Sequence, residues 1–191
     1  MLTKNIKVNR KGIMRFLIGD LHDAEEIKTL FTSTFSDSEG EGEGKLIGQL
    51  ALDLITTTAK SELLACIAKE EDKIVASILF TQLEYENGEK PFLMAPVAVL
   101  TEYQGKGVGQ GLIQFGLTQM KEMGVKLIFT YGDPSFYSKS GFLPVSEEAY
   151  PAPYKLAYPH GWQANLLTDN GLELIKGTPS CVKAFQNPAL W

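Results

Sequence analysis

Between Leu63 and Leu100 three strand-like runs follow one another with almost no chain between them. The runs are Leu63–Lys69, Ile74–Tyr85 and Phe92–Leu100, rich in β-branched and aromatic residues. Glu70-Glu71-Asp72-Lys73 joins the first two, and Asn87-Gly88, a hairpin signal, precedes the third. Turns this short connect only antiparallel neighbours, because a parallel return needs a crossover of a dozen residues or more. The pattern then changes abruptly. Thr101 to Gly111 is glycine-rich and runs into an amphipathic segment, Val108–Met123, closed by Gly124. Val125–Tyr131 follows as a buried-type strand, so the crossover predicts a parallel pair formed by Phe92–Leu100 and Val125–Tyr131.

The flanking segments fit the same mixed α/β sheet, with no obvious domain break. Residues 1–12 are polar and basic and are expected to form a loosely held leader, so that a single domain runs over 14–191 after a 1–13 leader. Met14–Ile18 reads as the first strand. Asp20 or His22-Asp23 caps a helix over Ala24–Phe35, with Ile27, Leu30, Phe31 and Phe35 at helical spacing. Ser36–Gly44 reads as an acidic glycine-rich loop, and Lys45–Thr58 as a second helix. Farther on, Pro134–Ser140 predicts a short helix stopped by Gly141, and Phe142–Val145 a strand. An irregular Pro- and Tyr-rich loop spans 146–161. Trp162–Leu167 and Cys181–Phe185 close the chain as strands around a turn at Asp169-Asn170-Gly171.

Composition excludes several functions. The net charge is −5 and Arg occurs only at positions 10 and 15, so no basic stripe exists to neutralise phosphates along a nucleic acid. The two cysteines, Cys66 and Cys181, and the two histidines, His22 and His160, show no zinc spacing, so no metal site is expected. Buried free thiols fit a reducing compartment. No uncharged apolar run approaches the roughly 18 residues that span a membrane, and no signal-type apolar region opens the chain. A cytoplasmic protein without membrane or nucleic-acid partners is the expectation.

The chemistry points to Gln104-Gly105-Lys106-Gly107-Val108-Gly109, placed between a strand and a helix. Glycines let the backbone turn sharply and approach a ligand, and the amides at the start of the helix favour a phosphate or pyrophosphate. Lys106 adds charge nearby. A loop cap made of small residues is the plain structural alternative. A Rossmann loop is excluded, since GxGxxG starting at Gly105 would need glycine at Gln110 and the preceding strands form an antiparallel meander. A Walker loop at Gly40…Gly44-Lys45 fails on spacing, on Leu46 in place of Ser or Thr, and on its acidity.

Pro96–Ile113 (PVAVLTEYQGKGVGQGLI) resembles the coenzyme A-binding motif of the GNAT superfamily of N-acetyltransferases, Gln/Arg-x-x-Gly-x-Gly/Ala, with Gln104, Gly107 and Gly109 at its fixed positions. Gly132–Phe142 (GDPSFYSKSGF) is similar to that superfamily's second motif, which ends in Tyr-x-x-x-Gly-Phe. The resemblance extends from about Met14 to near the C-terminus and is closest to a bacterial subgroup of N-acetyltransferases. It implies a mixed, mostly antiparallel central sheet of about seven strands, flanked by helices, with a V-shaped splay between two parallel strands. It also implies acetyl-CoA as co-substrate and direct attack by an acceptor amine on the thioester. The pantetheine arm would meet the backbone of Val97, Ala98 and Val99, an amide of that strand would stabilise the oxyanion, and the pyrophosphate would meet amides from Gln104 through Gly109, with Gln110 adding a contact. Tyr137 takes the place of the general acid that protonates the departing thiolate, a role its phenol suits in basicity. Its plain alternative is a packed aromatic beside Phe136 and Phe142.

The general base is not readable. Leu93–Leu100 carries no carboxylate, and Glu84, Glu86, Glu102 and His160 are the available groups. Tyr150, Tyr154, Tyr158 and Trp162 either line a pocket for an amine or staple the long loop to the body. A small amine is favoured as acceptor. The alternatives are a protein lysine or N-terminus, or a coenzyme A-binding module without catalysis. The oligomeric state is open between monomer and homodimer.

Overall fold

A computed structural model describes residues 4–7, 13–168, 175 and 177–191. The expected turn at Asp169–Gly171 lies outside them. The chain divides into two compact units, Met1–Leu79 with Pro96–Gly116 and Phe80–Ala95 with Leu117–Trp191.

In the first unit, β1 (Lys4–Lys7) pairs antiparallel with β2 (Ile13–Ile18). After β2, Asp20 and Asp23 form a reciprocal cap, each carboxylate accepting a backbone N–H, and launch the chain into α1 (Ala24–Glu39). Ile27, Leu30 and Phe31 of α1 are buried, as their spacing requires. The helix does not stop at Phe35. It continues to Glu39, breaks at Gly40 with φ +98°, and gives way at once to α2 (Glu41–Thr57). The acidic segment 36–44 is therefore helical on both sides of one residue, not a loop. The reason lies in tertiary packing. A Cβ at Gly44 would stand 2.0 Å from Ser36 Oγ, and one at Gly48 would stand 1.9 Å from Thr32 Oγ1. These glycines let two helix backbones close on each other, which outweighs their poor helix propensity.

The meander forms as expected. β3 (Leu63–Glu70) pairs with β2 from Met14↔Glu70 to Ile18↔Cys66, and β4 (Lys73–Glu84) lies beside β3. β5 (Phe92–Val99) is the neighbour of β4, and Leu100 N–H donates to Val75 C=O at 2.9 Å. A 3-10 turn at Thr101–Tyr103 then leads to the glycine loop and α3 (Val108–Glu122). Leu112 and Ile113 of α3 are fully buried. Gly111 faces β2 so closely that a Cβ would lie 2.7 Å from the Phe16 ring.

In the second unit β6 (Leu127–Tyr131) runs parallel to β5, but the ladder consists of only Phe92↔Ile128 and Leu93↔Phe129. Beyond Leu93 the parallel strands part, which is the V-shaped splay. Pro96, which has no N–H to give a ladder, stands past that point. β6 is followed by α4 (Pro134–Tyr137) and a 3-10 turn, Ser138–Ser140, that Gly141 ends in the left-handed region. The remaining strands are β7 (Leu143–Pro144), β8 (Trp162–Leu166) and β9 (Ser180–Cys181). β8 lies antiparallel to both β6 and β7, and β9 pairs with the end of β4. Of the expected last strand, Cys181–Phe185, only Cys181 is extended, as the second residue of β9. Lys183–Phe185 is a 3-10 turn instead, because Gln186 donates back to Cys181 C=O and Trp191 Nε1 to Phe185 C=O, curling the segment.

The aromatic loop is stapled. Trp162 is fully buried, stacked on Phe129 at 4.7 Å, and its Nε1 donates to Tyr150 C=O. Tyr154 packs on Trp191, whose carbonyl accepts from Ala157 N–H. Tyr158 alone of the four named aromatics is well exposed. No helix among the described residues is long and apolar enough to cross a membrane.

Candidate functional site

The glycine loop is made of backbone. Gly105 and Gly107 have φ +69° and +81°, values that side chains rarely adopt, and a Cβ at either would meet nothing within 4 Å. The space that side chains would fill is thus left open beside a turn into a helix. An α-helix leaves its first amides without a carbonyl one turn behind them, and its dipole adds partial positive charge there. Gly111 N–H donates to Gly107 C=O at 2.9 Å and closes the first turn. Val108 is buried under the loop, whereas Gln104 to Gly107 are exposed. Such a cradle suits a pyrophosphate in the chemistry of its donors and in its room for close approach.

Several residues of the motif brace the loop. Gln104 N–H donates to Thr101 C=O at 3.2 Å, and its side-chain amide donates to Val99 C=O at 2.9 Å. The Lys106 ammonium donates to Glu102 C=O and lies 5.5 Å from the centre of the Tyr103 ring. Tyr103 in turn donates to Glu70 Oε2 at 2.5 Å, and that carboxylate pushes its phenol up to about 12. Along β5, Ala98 is buried while Val97 and Val99 are half-buried, the alternation of a strand with one covered face. Val97, Ala98, Val99 and Gln104 to Gln110 therefore share the first unit.

Tyr137 belongs to the second unit and is set by side chains. Asp133 caps α4 by accepting from Ser135 N–H at 2.8 Å and from Ser135 Oγ at 2.7 Å, bonds that hold its carboxyl below its usual range. Tyr137 then stands edge-on between Phe136 and Phe142, at ring distances of 5.0 and 5.9 Å. Its ring keeps some exposure, but the hydroxyl end is desolvated. Burial pushes the phenol up to about 12, opposed by a hydrogen bond with the Thr130 side chain. Such a group is fully protonated at neutral pH and able to donate. Gly132 makes room for the ring, since a Cβ there would lie 2.9 Å from Tyr137 Cε2. Gln163 fixes Gly132 by donating to the carbonyls of Gly132 and Gly161, each at 3.2 Å. Thr130, Gly132 and Gln163 had no signal in the sequence beyond the glycine that opens the second motif.

The four candidate bases are plainly placed. Glu84 pairs with Lys90 at 3.1 Å and Glu102 with Lys73 at 3.3 Å. The Glu102 carboxyl is held below its usual range by its own backbone N–H and by Lys73. Glu86 and His160 are exposed. Cys66 and Cys181 are buried free thiols, pushed up to about 12 and about 11 by burial, a poor state for nucleophiles. Among the described residues no group of His, Cys, Asp and Glu could hold a metal.

Comparison with known proteins finds relatives over nearly the whole chain. The acetyltransferase (GNAT) domain model matches residues 61–144. The uncharacterized N-acetyltransferase YhbS of Escherichia coli K12 is 30% identical over 63% of this chain and 68% of its own. In solved structures, this chain resembles the E. coli GNAT family N-acetyltransferase YhbS in complex with CoA, with TM-score 0.73, 22% identity and coverage of 95% of this chain and 97% of that one. It also resembles a Brucella melitensis GNAT family acetyltransferase in complex with acetyl-CoA, with TM-score 0.70, 24% identity and coverage of 91% and 98%. These two likenesses speak for the fold. The uncharacterized N-acetyltransferase YjhQ of E. coli K12 is 34% identical over 92% of this chain and 96% of its own length. On that near-complete match, the chain belongs to the GNAT family of N-acetyltransferases.

Proposed function

We propose that this protein binds acetyl-CoA and transfers the acetyl group to a small amine, which attacks the thioester directly. The relatives solved with CoA and acetyl-CoA support the donor, and the observation that carries the reading is the open left-handed turn at Gly105 and Gly107 leading into α3. Backbone amides from Gly105 to Gly109, with Gln104 and Gln110 flanking them, receive the pyrophosphate, and Lys106 supplies charge. Val97, Ala98 and Val99 offer β5 backbone to the pantetheine arm. The bound thioester supplies an activated acetyl group. Tyr137, neutral and desolvated, gives its proton to the departing sulfur.

A thiol-release assay with acetyl-CoA against amines, polyamines and peptides tests the reading. Acceptor-dependent release is expected, largest with a small amine. Cofactor binding with no release from any acceptor would instead support a binding module. Tyr137→Phe should lower turnover by about 100-fold or more while leaving the acetyl-CoA Kd within a factor of about 2. Unchanged turnover would remove Tyr137 from the mechanism.

A further inference from the structure

Gly132 stands between the end of β6 and Asp133, the cap of α4, and both of its peptide groups are tied. Its N–H donates to Gly161 C=O at 3.0 Å, and its C=O accepts from Gln163 Nε2 at 3.2 Å. The same nitrogen, which carries two hydrogens, also donates to Gly161 C=O at 3.2 Å. Chemistry settles how that carboxamide is turned, because the reverse orientation would set its oxygen against two carbonyl oxygens. Gln163 is fully buried, and its Oε1 has no partner among the described residues. An unpaired buried oxygen is costly, so the fold gives up stability here while two carbonyls stay held. Gly161 ends the 3-10 turn Pro159–Gly161 and is buried. A Cβ on it would stand 3.1 Å from Gly132 O, 3.3 Å from Gly132 N and 3.2 Å from Tyr131 Cε2. The turn is fastened in its turn: Tyr158 N–H donates to the Tyr131 hydroxyl at 2.7 Å, and Gly161 N–H to Tyr158 C=O at 2.8 Å. Gly132 also carries the Tyr137 ring, with 2.9 Å between Cε2 and the place a Cβ would take.

We propose that Gln163 and Gly161 clamp Gly132 and thereby position Tyr137, so that turnover depends on two residues outside both sequence motifs. The proposal rests on the reading of Tyr137 as general acid. Glycine at a chain junction has the widest backbone freedom, and a ring packed on it shares that freedom unless the peptide groups are held. With N–H and C=O both tied, the ring has one seat, which is what a proton donor needs. Gln163 and Gly161 are positioning residues: they act on Tyr137 through the Gly132 backbone and take no part in proton transfer. All five residues, Tyr131, Gly132, Tyr137, Gly161 and Gln163, belong to the second unit. The loop Gln104–Gly109 shares none of them, so cofactor binding should not follow the clamp.

The test combines NMR and kinetics on the full chain, for wild type, Gln163→Met, Gly161→Ala and the same two changes in a Tyr137→Phe background. Methionine keeps the length of Gln163 and removes its donors. In wild type the Gly132 α-protons should show a strong nuclear Overhauser contact to the Tyr137 ring. Gln163→Met should weaken that contact and shift the Tyr137 ring resonances, and an unchanged contact with unchanged shifts overturns the proposal. Thiol release from acetyl-CoA is followed with water, and with a mixture of spermidine, lysine, glucosamine and a peptide with a free α-amine, as acceptors. Gln163→Met should lower kcat about tenfold, with KM for acetyl-CoA changed by less than about twofold. Gly161→Ala should act in the same direction, and neither change should lower kcat further when Tyr137 is already Phe. An equal loss in both backgrounds marks a structural role alone and overturns the proposal, as does no loss in either. If Tyr137→Phe itself leaves turnover intact, or no amine reacts, the general-acid reading fails and the NMR contact still decides the clamp. Should neither variant fold, the wild-type Gln163 carboxamide protons decide. They should exchange far more slowly than those of exposed Gln49, and equal exchange overturns the clamp.

Discussion

The glycine loop with the start of α3 and the segment around Tyr137 are two motifs of one enzyme, built by opposite means. The loop works by omission: Gly105 and Gly107 take left-handed conformations and leave open space where side chains would be, beside the start of a helix. Its side chains, Gln104 and Lys106, fold back onto Val99 and Glu102. Around Tyr137 the important atoms are side-chain atoms in a crowded, desolvated place, and the glycine there is needed because a ring fills the space its Cβ would occupy. A diffuse anion is well served by several backbone dipoles. A proton donor needs one atom held in one position. Substitutions in the two regions should therefore separate binding from turnover.

The sharpest way to break that comparison is Gly132→Ala. The added Cβ, 2.9 Å from Tyr137 Cε2, must displace the ring. Turnover should fall about 100-fold, as for an ångström of misplacement at a reacting group, with Kd for acetyl-CoA changed by less than about twofold. Steady-state kinetics with calorimetric binding measures both. A weakened Kd with normal kcat would show that Gly132 serves the cofactor and not the acid. The mirror experiment is Gly107→Val. A β-branched residue at φ +81° costs about 1–2 kcal/mol in the backbone and fills the open turn. Acetyl-CoA should bind about tenfold more weakly, with kcat at saturation nearly unchanged. Loss of kcat at saturating acetyl-CoA would contradict the division.

Why the loop could be read from sequence and much of what surrounds Tyr137 could not follows from the same contrast. Backbone conformation is written locally: glycines between a strand run and an amphipathic run announce a tight turn into a helix. The meander was legible because Glu70–Lys73 and Asn87-Gly88 leave no room for a crossover. Tyr137 was found through its motif, but Thr130 looks like any threonine in a strand. Its hydrogen bond to Met94 C=O, 36 residues earlier, forms where the parallel ladder has ended and has no local signal. The helical course of 36–44 was hidden for a related reason. Gly44 and Gly48 are breakers by propensity and become close-approach points only once α1 is present beside them.

One feature of the loop region is built from side chains, and it offers the smallest and most specific test. Tyr103 ends the turn before Gln104 and donates to Glu70 across from β3, an anchor for the approach to the loop. The carboxylate raises the phenol from its ordinary 10.0 to about 12, so the fold favours the protonated form. The sign follows from linkage: the stabilisation is complete below pH 10, where both folded and unfolded phenols are protonated, and fades as pH rises from 10 toward 12. Tyr103→Phe removes the donor, so wild type should be the more stable by less than about 1 kcal/mol at neutral pH, as befits one hydrogen bond close to solvent. That difference should shrink between pH 10 and 12. Taking the difference between the two proteins cancels the other high-pH groups, Tyr85, Tyr137, Cys66 and Cys181, which titrate in both. Denaturant melts at several pH values read it directly, and Kd for acetyl-CoA in Tyr103→Phe shows whether the anchor matters to the cradle. A change of less than about twofold is expected, because the turn at Gly105 and Gly107 is fixed by its own backbone and by Gln104 and Lys106. A larger loss would mean that the backbone cradle also depends on a side chain held at a distance, and the contrast between the two regions would narrow.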